Sequence, residues 1–103
     1  MNLIELNIQK ITELCKKYRV KTLSVFGSIL SERFNDSSDV DLLVDFEPYD
    51  YNSLDFDYVR NYFDLKDSLE LLLGREVDLI EDGDRLNPYF RYCVNKQKKL
   101  IYG

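Results

Sequence analysis

The sequence predicts a small α/β domain, a mixed sheet of three or four strands with flanking helices. Three observations predict it. First, three short β-rich runs, 20–26 (VKTLSVF), 39–46 (DVDLLVDF) and 76–80 (EVDLI), are each bounded by turn-forming or charged residues. Second, the segments around them carry apolar residues at steps of three and four, the spacing of an amphipathic helix. Third, the two patterns alternate along the chain, which builds a sheet with helical cover.

Residues 3–18 place Ile4, Ile8, Ile11, Cys15 and Tyr18 on one stripe, with Glu5, Lys10, Glu13, Lys16 and Lys17 elsewhere. That spacing predicts a first helix. The run 20–26 predicts a strand ending at Gly27, and 28–34 fit a short helix. Asn35-Asp36-Ser37-Ser38 reads as a turn. The run 39–46 is a strand, strongly apolar between its acids, closed by Glu47-Pro48. Asn52 or Ser53 suits the cap of a long helix that stops at Gly74, with Val59, Tyr62, Phe63, Leu69, Leu72 and Leu73 in its stripe. A third strand at 76–80 follows. Asn87-Pro88 then opens a last helix, Asn as cap and Pro at the first position. Lys96, Lys98 and Lys99 lie near its C-terminal end, where positive charge suits the dipole. Leu100-Ile101-Tyr102 adds a short extended piece.

The 103 residues are expected to form one domain, 1–103, with a single modest core. Eight Tyr and six Phe are present, and no Trp or His. Without histidine, acid–base or metal chemistry falls to carboxylates, Lys, Tyr or Cys. A net charge of -5 and a pI near 4.7 disfavour direct nucleic-acid binding through a basic surface, and attraction to anionic membranes. Cys15 and Cys93 fall in no zinc or redox spacing and read as buried free thiols of a reducing compartment. No signal peptide or membrane span is evident, so a cytoplasmic location is expected.

The chemistry concentrates in one stretch: Gly27-Ser28, ten residues, then Asp39-Val40-Asp41. Alternation along a strand sends Asp39 and Asp41 to the same side. Two like charges that close repel, and burial adds to the cost; Mg²⁺, which takes carboxylate and phosphate oxygens, relieves it. Taken alone, such a pair is commonly a turn residue and a solvated acid. Gly27-Ser28 follows a strand and precedes a predicted helix, where backbone N–H groups face a phosphate. Taken alone, this too is commonly a turn. Asp78, between Val77 and Leu79, offers a third acid. On a neighbouring strand it would complete a carboxylate cluster of the kind that holds two metal ions about 3.5–4 Å apart. Asp45 shares the parity of Asp39 and Asp41 but reads as a strand-end acid.

The segment SVFGSILSERFNDSSDVDLLVDF resembles the signature of the DNA polymerase beta-like nucleotidyltransferase superfamily. Length and layout make the chain similar to minimal nucleotidyltransferases, the MNT-type antitoxins of MNT–HEPN toxin–antitoxin pairs. The VDLIE around Asp78 and the ending NPYFRYCVNKQKKLIYG extend the likeness over nearly the whole chain.

The resemblance implies the small nucleotidyltransferase fold. It implies Asp39 and Asp41 as metal-binding aspartates, Gly27 and Ser28 as the turn that grips the triphosphate, and Asp78 as a third acid that helps bind metal and activate the acceptor hydroxyl. It implies transfer of AMP from ATP, with Mg²⁺, to a tyrosine of a HEPN ribonuclease partner, silencing it. Many family members follow Gly-Ser with an Arg-rich stretch; here Ile29-Leu30-Ser31-Glu32-Arg33 holds one cation, Arg33.

The segment with Tyr49, Tyr51, Phe56, Tyr58 and Tyr62 reads as part core and part candidate docking patch. The acidic surface suits a partner with a basic face. Two other readings compete with protein modification. One is neutralisation of the toxin by complex formation alone. The other is nucleotidyl transfer to a small molecule, for which a chain this short is expected to lack an acceptor domain.

Overall fold

The computed structural model describes residues 3–27, 39–48, 57–83 and 86–103. They form α1 (Leu3–Leu6), α2 (Ile8–Lys17), β1 (Val20–Phe26), β2 (Val40–Phe46), α3 (Tyr58–Leu73), β3 (Val77–Glu81), α4 (Pro88–Gln97) and β4 (Lys99–Tyr102). The four strands make one mixed sheet in the order β3-β2-β1-β4. β1 runs antiparallel to β2 and to β4, whereas β2 and β3 are parallel. A parallel pair requires a crossover rather than a hairpin, and α3 lies in that connection.

The α/β class and the mixed four-stranded sheet agree with the expectation, and the late segment pairs as β4. Three local readings change. The first helix is two helices, because the Asn7 side chain donates to the Leu3 carbonyl at 2.9 Å and competes with continuous helix there. Ile4, Ile11 and Cys15 remain buried, but Ile8 comes out of the expected stripe. The described start of α3 is capped by Asp57, whose carboxylate accepts from the Arg60 N–H at 3.2 Å; Asn52 and Ser53 lie outside the described residues. Along α3 the buried stripe is Leu65, Leu69 and Leu73, while Val59 and Phe63 face outward. At the other end of the helix, Gly74 stops it in the left-handed conformation at φ 69°, as expected.

The sheet is covered differently on its two sides. On one, Val40, Leu42 and Val44 of β2 and Leu23 and Val25 of β1 pack with Ile11 and Cys15 of α2 and Leu65 and Leu69 of α3. On the other, Phe26 and Leu43 pack with Val94 of α4, flanked by Ile80, Leu86 and Phe90. The adjacent leucines 42 and 43 therefore serve two cores from one strand, as a central strand buried on both faces requires. α4 is held at its start by Asn87, whose side-chain oxygen accepts from the Tyr89 and Phe90 N–H groups at 2.9 and 3.2 Å.

Both cysteines are free; Cys15 is fully buried, which pushes its thiol up to about 12, and Cys93 is half-buried. Among the described residues no helix is long and apolar enough to cross a membrane.

Candidate active site

β1 delivers Phe26 and Gly27 to the same end of the sheet at which β2 and β3 begin. The strand register puts Phe26 opposite Asp41, and Asp41 opposite Asp78. Directly paired residues share a face, so the two aspartates project together on the side that also carries Leu43 and Phe26. Asp39 stands just before β2, two residues from Asp41, and is exposed. Asp41 is half-buried and Asp78 exposed. Asp45 pairs with Thr22 further along β2, consistent with its reading as an acid apart from this group.

Gly27 is required at its position on two counts. Its φ of 79° lies in the left-handed region, and a Cβ there would overlap the Asp41 carboxylate. The turn thus brings bare backbone against the acid. Ser28, the predicted helix 28–34 and Arg33 lie outside the described residues.

The Asp41 carboxyl is held above its ordinary value of 3.8, first by burial and then by the charges of Asp78 and Asp39. Asp41 therefore feels both of the other expected acids. The three do not form a closed cage: among the described residues, no three His, Cys, Asp or Glu side chains are grouped to hold a metal ion. The arrangement fits Mg²⁺ nonetheless. The donors are all carboxylate oxygens, Asp41 carries an unfavourable negative potential that a cation relieves, and Mg²⁺ is commonly bound through one or two carboxylates plus substrate phosphates.

The neighbouring side chains define the surroundings. Phe26 packs edge-on against Phe90 of α4, ring centroids 6.1 Å apart. On the outer side of β3, Tyr62 donates its hydroxyl hydrogen bond to the Leu79 carbonyl, Glu70 accepts from the Val77 N–H at 3.0 Å, and Tyr58 donates to Glu81. Burial pushes the Tyr62 hydroxyl up; Lys66 pulls it down, and Asp78 and Glu81 add to the rise. The sequence pattern assigns Tyr58 and Tyr62 to core or docking patch and gives Glu70 no role. The available signal was the step of four that places Tyr58, Tyr62, Lys66 and Glu70 on one stripe of a helix. Tyr49, Tyr51 and Phe56 of the aromatic segment lie outside the described residues.

The family model described as polymerase beta, nucleotidyltransferase, matches residues 9–103. The chain belongs to the polymerase beta nucleotidyltransferase family. It is a minimal nucleotidyltransferase, and nucleotidyl transfer is its class of chemistry. It is 37% identical over 87 residues to a Methanocaldococcus jannaschii protein named as a candidate protein adenylyltransferase, covering 84% of this chain and 80% of the relative. It is 37% identical over 68 residues to the protein adenylyltransferase MntA of Thermococcus cleftensis, covering 66% of this chain and 62% of the relative.

Among solved structures, a candidate minimal nucleotidyltransferase superposes with a TM-score of 0.73 at 29% identity, covering 96% of this chain and 95% of the other. Two more distant likenesses are of fold. One is a toxin–antitoxin crystal structure with AMP-PNP, at TM-score 0.71, 22% identity, and 94% and 73% coverage. The other is a complex of a tri-AMPylated Shewanella oneidensis HEPN toxin with its MNT antitoxin, at TM-score 0.65, 22% identity, and 96% and 71% coverage.

Proposed function

We propose that this minimal nucleotidyltransferase is an antitoxin that moves AMP from ATP to a tyrosine of a cognate HEPN-family ribonuclease toxin, releasing pyrophosphate. The observation that carries this reading is the rung formed by Asp41 and Asp78 on neighbouring strands, with the Gly27 backbone against Asp41. The names of the relatives, protein adenylyltransferases, supply the acceptor class, and the HEPN complex among the structural neighbours supplies the partner class.

In this reading Asp39 and Asp41 would hold Mg²⁺, with Asp78 as a third acid that would help bind it and activate the acceptor hydroxyl. When bound, the ion neutralises charge on the triphosphate and fixes its orientation. The Gly27 backbone, kept bare of a Cβ beside Asp41, would offer its N–H side to the phosphates, with the hydroxyl of Ser28 proposed from the sequence as a further donor. The acceptor oxygen attacks the α-phosphorus, and the bond from that phosphorus to the bridging oxygen breaks. Pyrophosphate leaves with the electron pair. The hydroxyl proton passes to the exposed carboxylate of Asp78. Such a reaction depends on positioning and charge neutralisation rather than on a protein nucleophile, which suits a chain without histidine.

The test is to incubate the protein with ATP, Mg²⁺ and the product of its neighbouring gene and to weigh both proteins intact. AMP is expected on the neighbour, and Asp39→Ala combined with Asp41→Ala abolishes the addition. Suppression of toxicity with no added mass would replace this reading with neutralisation by complex formation alone.

A further inference from the structure

β3 is an edge strand that carries Asp78. Its inner side is paired: the Val40 N–H donates to the Glu76 carbonyl at 3.0 Å, and the Asp82 N–H to the Val44 carbonyl at 2.7 Å. Backbone groups of the intervening odd residues point the other way, where among the described residues β3 has no neighbouring strand. Two of those outward groups are met by one helix. Glu70 of α3 accepts from the Val77 N–H at 3.0 Å, and Tyr62 donates to the Leu79 carbonyl. Val77 and Leu79 are the residues on either side of Asp78. Glu70 is itself steadied by Lys66 at 3.3 Å, one turn back on the same stripe.

We propose that Tyr62 and Glu70 are positioning residues for Asp78, bracketing it on the outer edge of β3 and holding it level with Asp41. This rests on the reading of Asp78 as the third acid. The physical need is plain. Asp41 and Asp78 repel across the strand pair, and a five-residue edge strand bonded on one side only is free to yield to that repulsion. A misplacement of about 1 Å at a reacting group can cost about 100-fold in rate. The outer pair of hydrogen bonds opposes it without touching substrate.

The experiment compares Tyr62→Phe, Glu70→Ala and Glu70→Gln with the wild-type chain in AMP transfer to the toxin, and follows amide exchange across β3 without ATP or metal. Tyr62→Phe and Glu70→Ala are expected to lower kcat about tenfold, with KM for ATP within about twofold, and to speed exchange around Asp78. Glu70→Gln, which keeps an acceptor oxygen, restores most of both. Ser68→Ala is the control: it removes the 3.3 Å contact with the Tyr18 hydroxyl from the same helix, away from β3, and leaves both readouts unchanged. Wild-type kcat and exchange in Tyr62→Phe, or an equal loss in Ser68→Ala, overturns the proposal. Faster exchange in Tyr62→Phe at wild-type kcat overturns the catalytic consequence. Full activity of Asp78→Asn instead removes the third acid from the functional reading, and the exchange data still judge the clamp.

Discussion

On one side of the sheet, Val40, Leu42 and Val44 of β2 are sealed under α2 and α3; on the other, Asp41 of the same strand is half-buried and faces Asp78. The two sides share one backbone and one register, so alternation alone separates the wholly apolar face from the one where acids stand beside the smaller core of Phe26, Leu43 and Val94. The packed side is favourable with nothing added. The acid side is unfavourable until a cation or a proton arrives, as the raised Asp41 carboxyl shows. The acid pair is a place where the fold accepts a local electrostatic cost, set against burial on the opposite face.

Three substitutions break or sharpen that contrast. Asp41→Asn is expected to reduce AMP transfer by at least about 1,000-fold, equivalent to about 4 kcal/mol of barrier, measured by intact mass over time. Leu42→Ala, one residue along but on the face under α2 and α3, is expected to cost about 3 kcal/mol in urea unfolding, because a fully buried side chain is lost and a cavity is left. Gly27→Ala should affect both sides of the comparison. The positive φ and the overlap with Asp41 are expected to cost about 1–2 kcal/mol of stability, and the displaced carboxylate lowers kcat further than the unfolded fraction explains.

The smallest effect has the opposite sign. In metal-free buffer at neutral pH, Asp41→Asn is expected to raise Tm by about 2–4 °C, a modest shift because water still screens a half-exposed carboxylate. The folded-state pKa of Asp41 is raised, so the stability of its protonated form is fully present below the ordinary carboxylate value and is lost as pH rises through the folded one. The gap between variant and wild type should therefore open with rising pH and vanish in acid, as read by thermal melts across pH. A gap that stays constant would mean that packing, and not charge, sets it.

Much of this contrast was legible in the residues. The run DVDLLVDF has both the alternation that separates Asp41 from Val40 and Leu42 and the adjacent leucines that need two cores. Asn87-Pro88 and Gly74 act at the ends of α4 and α3 as read, because capping chemistry is local. The first helix was less legible, since the Asn7 side chain competes with an apolar period that runs straight through it. Val59 and Phe63 continue the apolar pattern of α3 yet lie outside, because the helix turns Leu65 and Leu69 toward the sheet instead. Period alone does not say where a wide stripe is centred. Tyr62 and Glu70 were invisible as partners of β3, because their role depends on which strand is left at the edge.

The sequence by itself determined the local terms: the strand period, the caps, the apolar and acidic residues, and a Gly-Ser turn before a spaced pair of aspartates. These follow from backbone geometry and side-chain chemistry within a few residues. Only the tertiary structure decided that Asp41 and Asp78 meet on one rung, that Gly27 closes on Asp41, and that α3 holds the free side of β3. Each depends on strand order and register, which long-range packing selects and no short segment encodes.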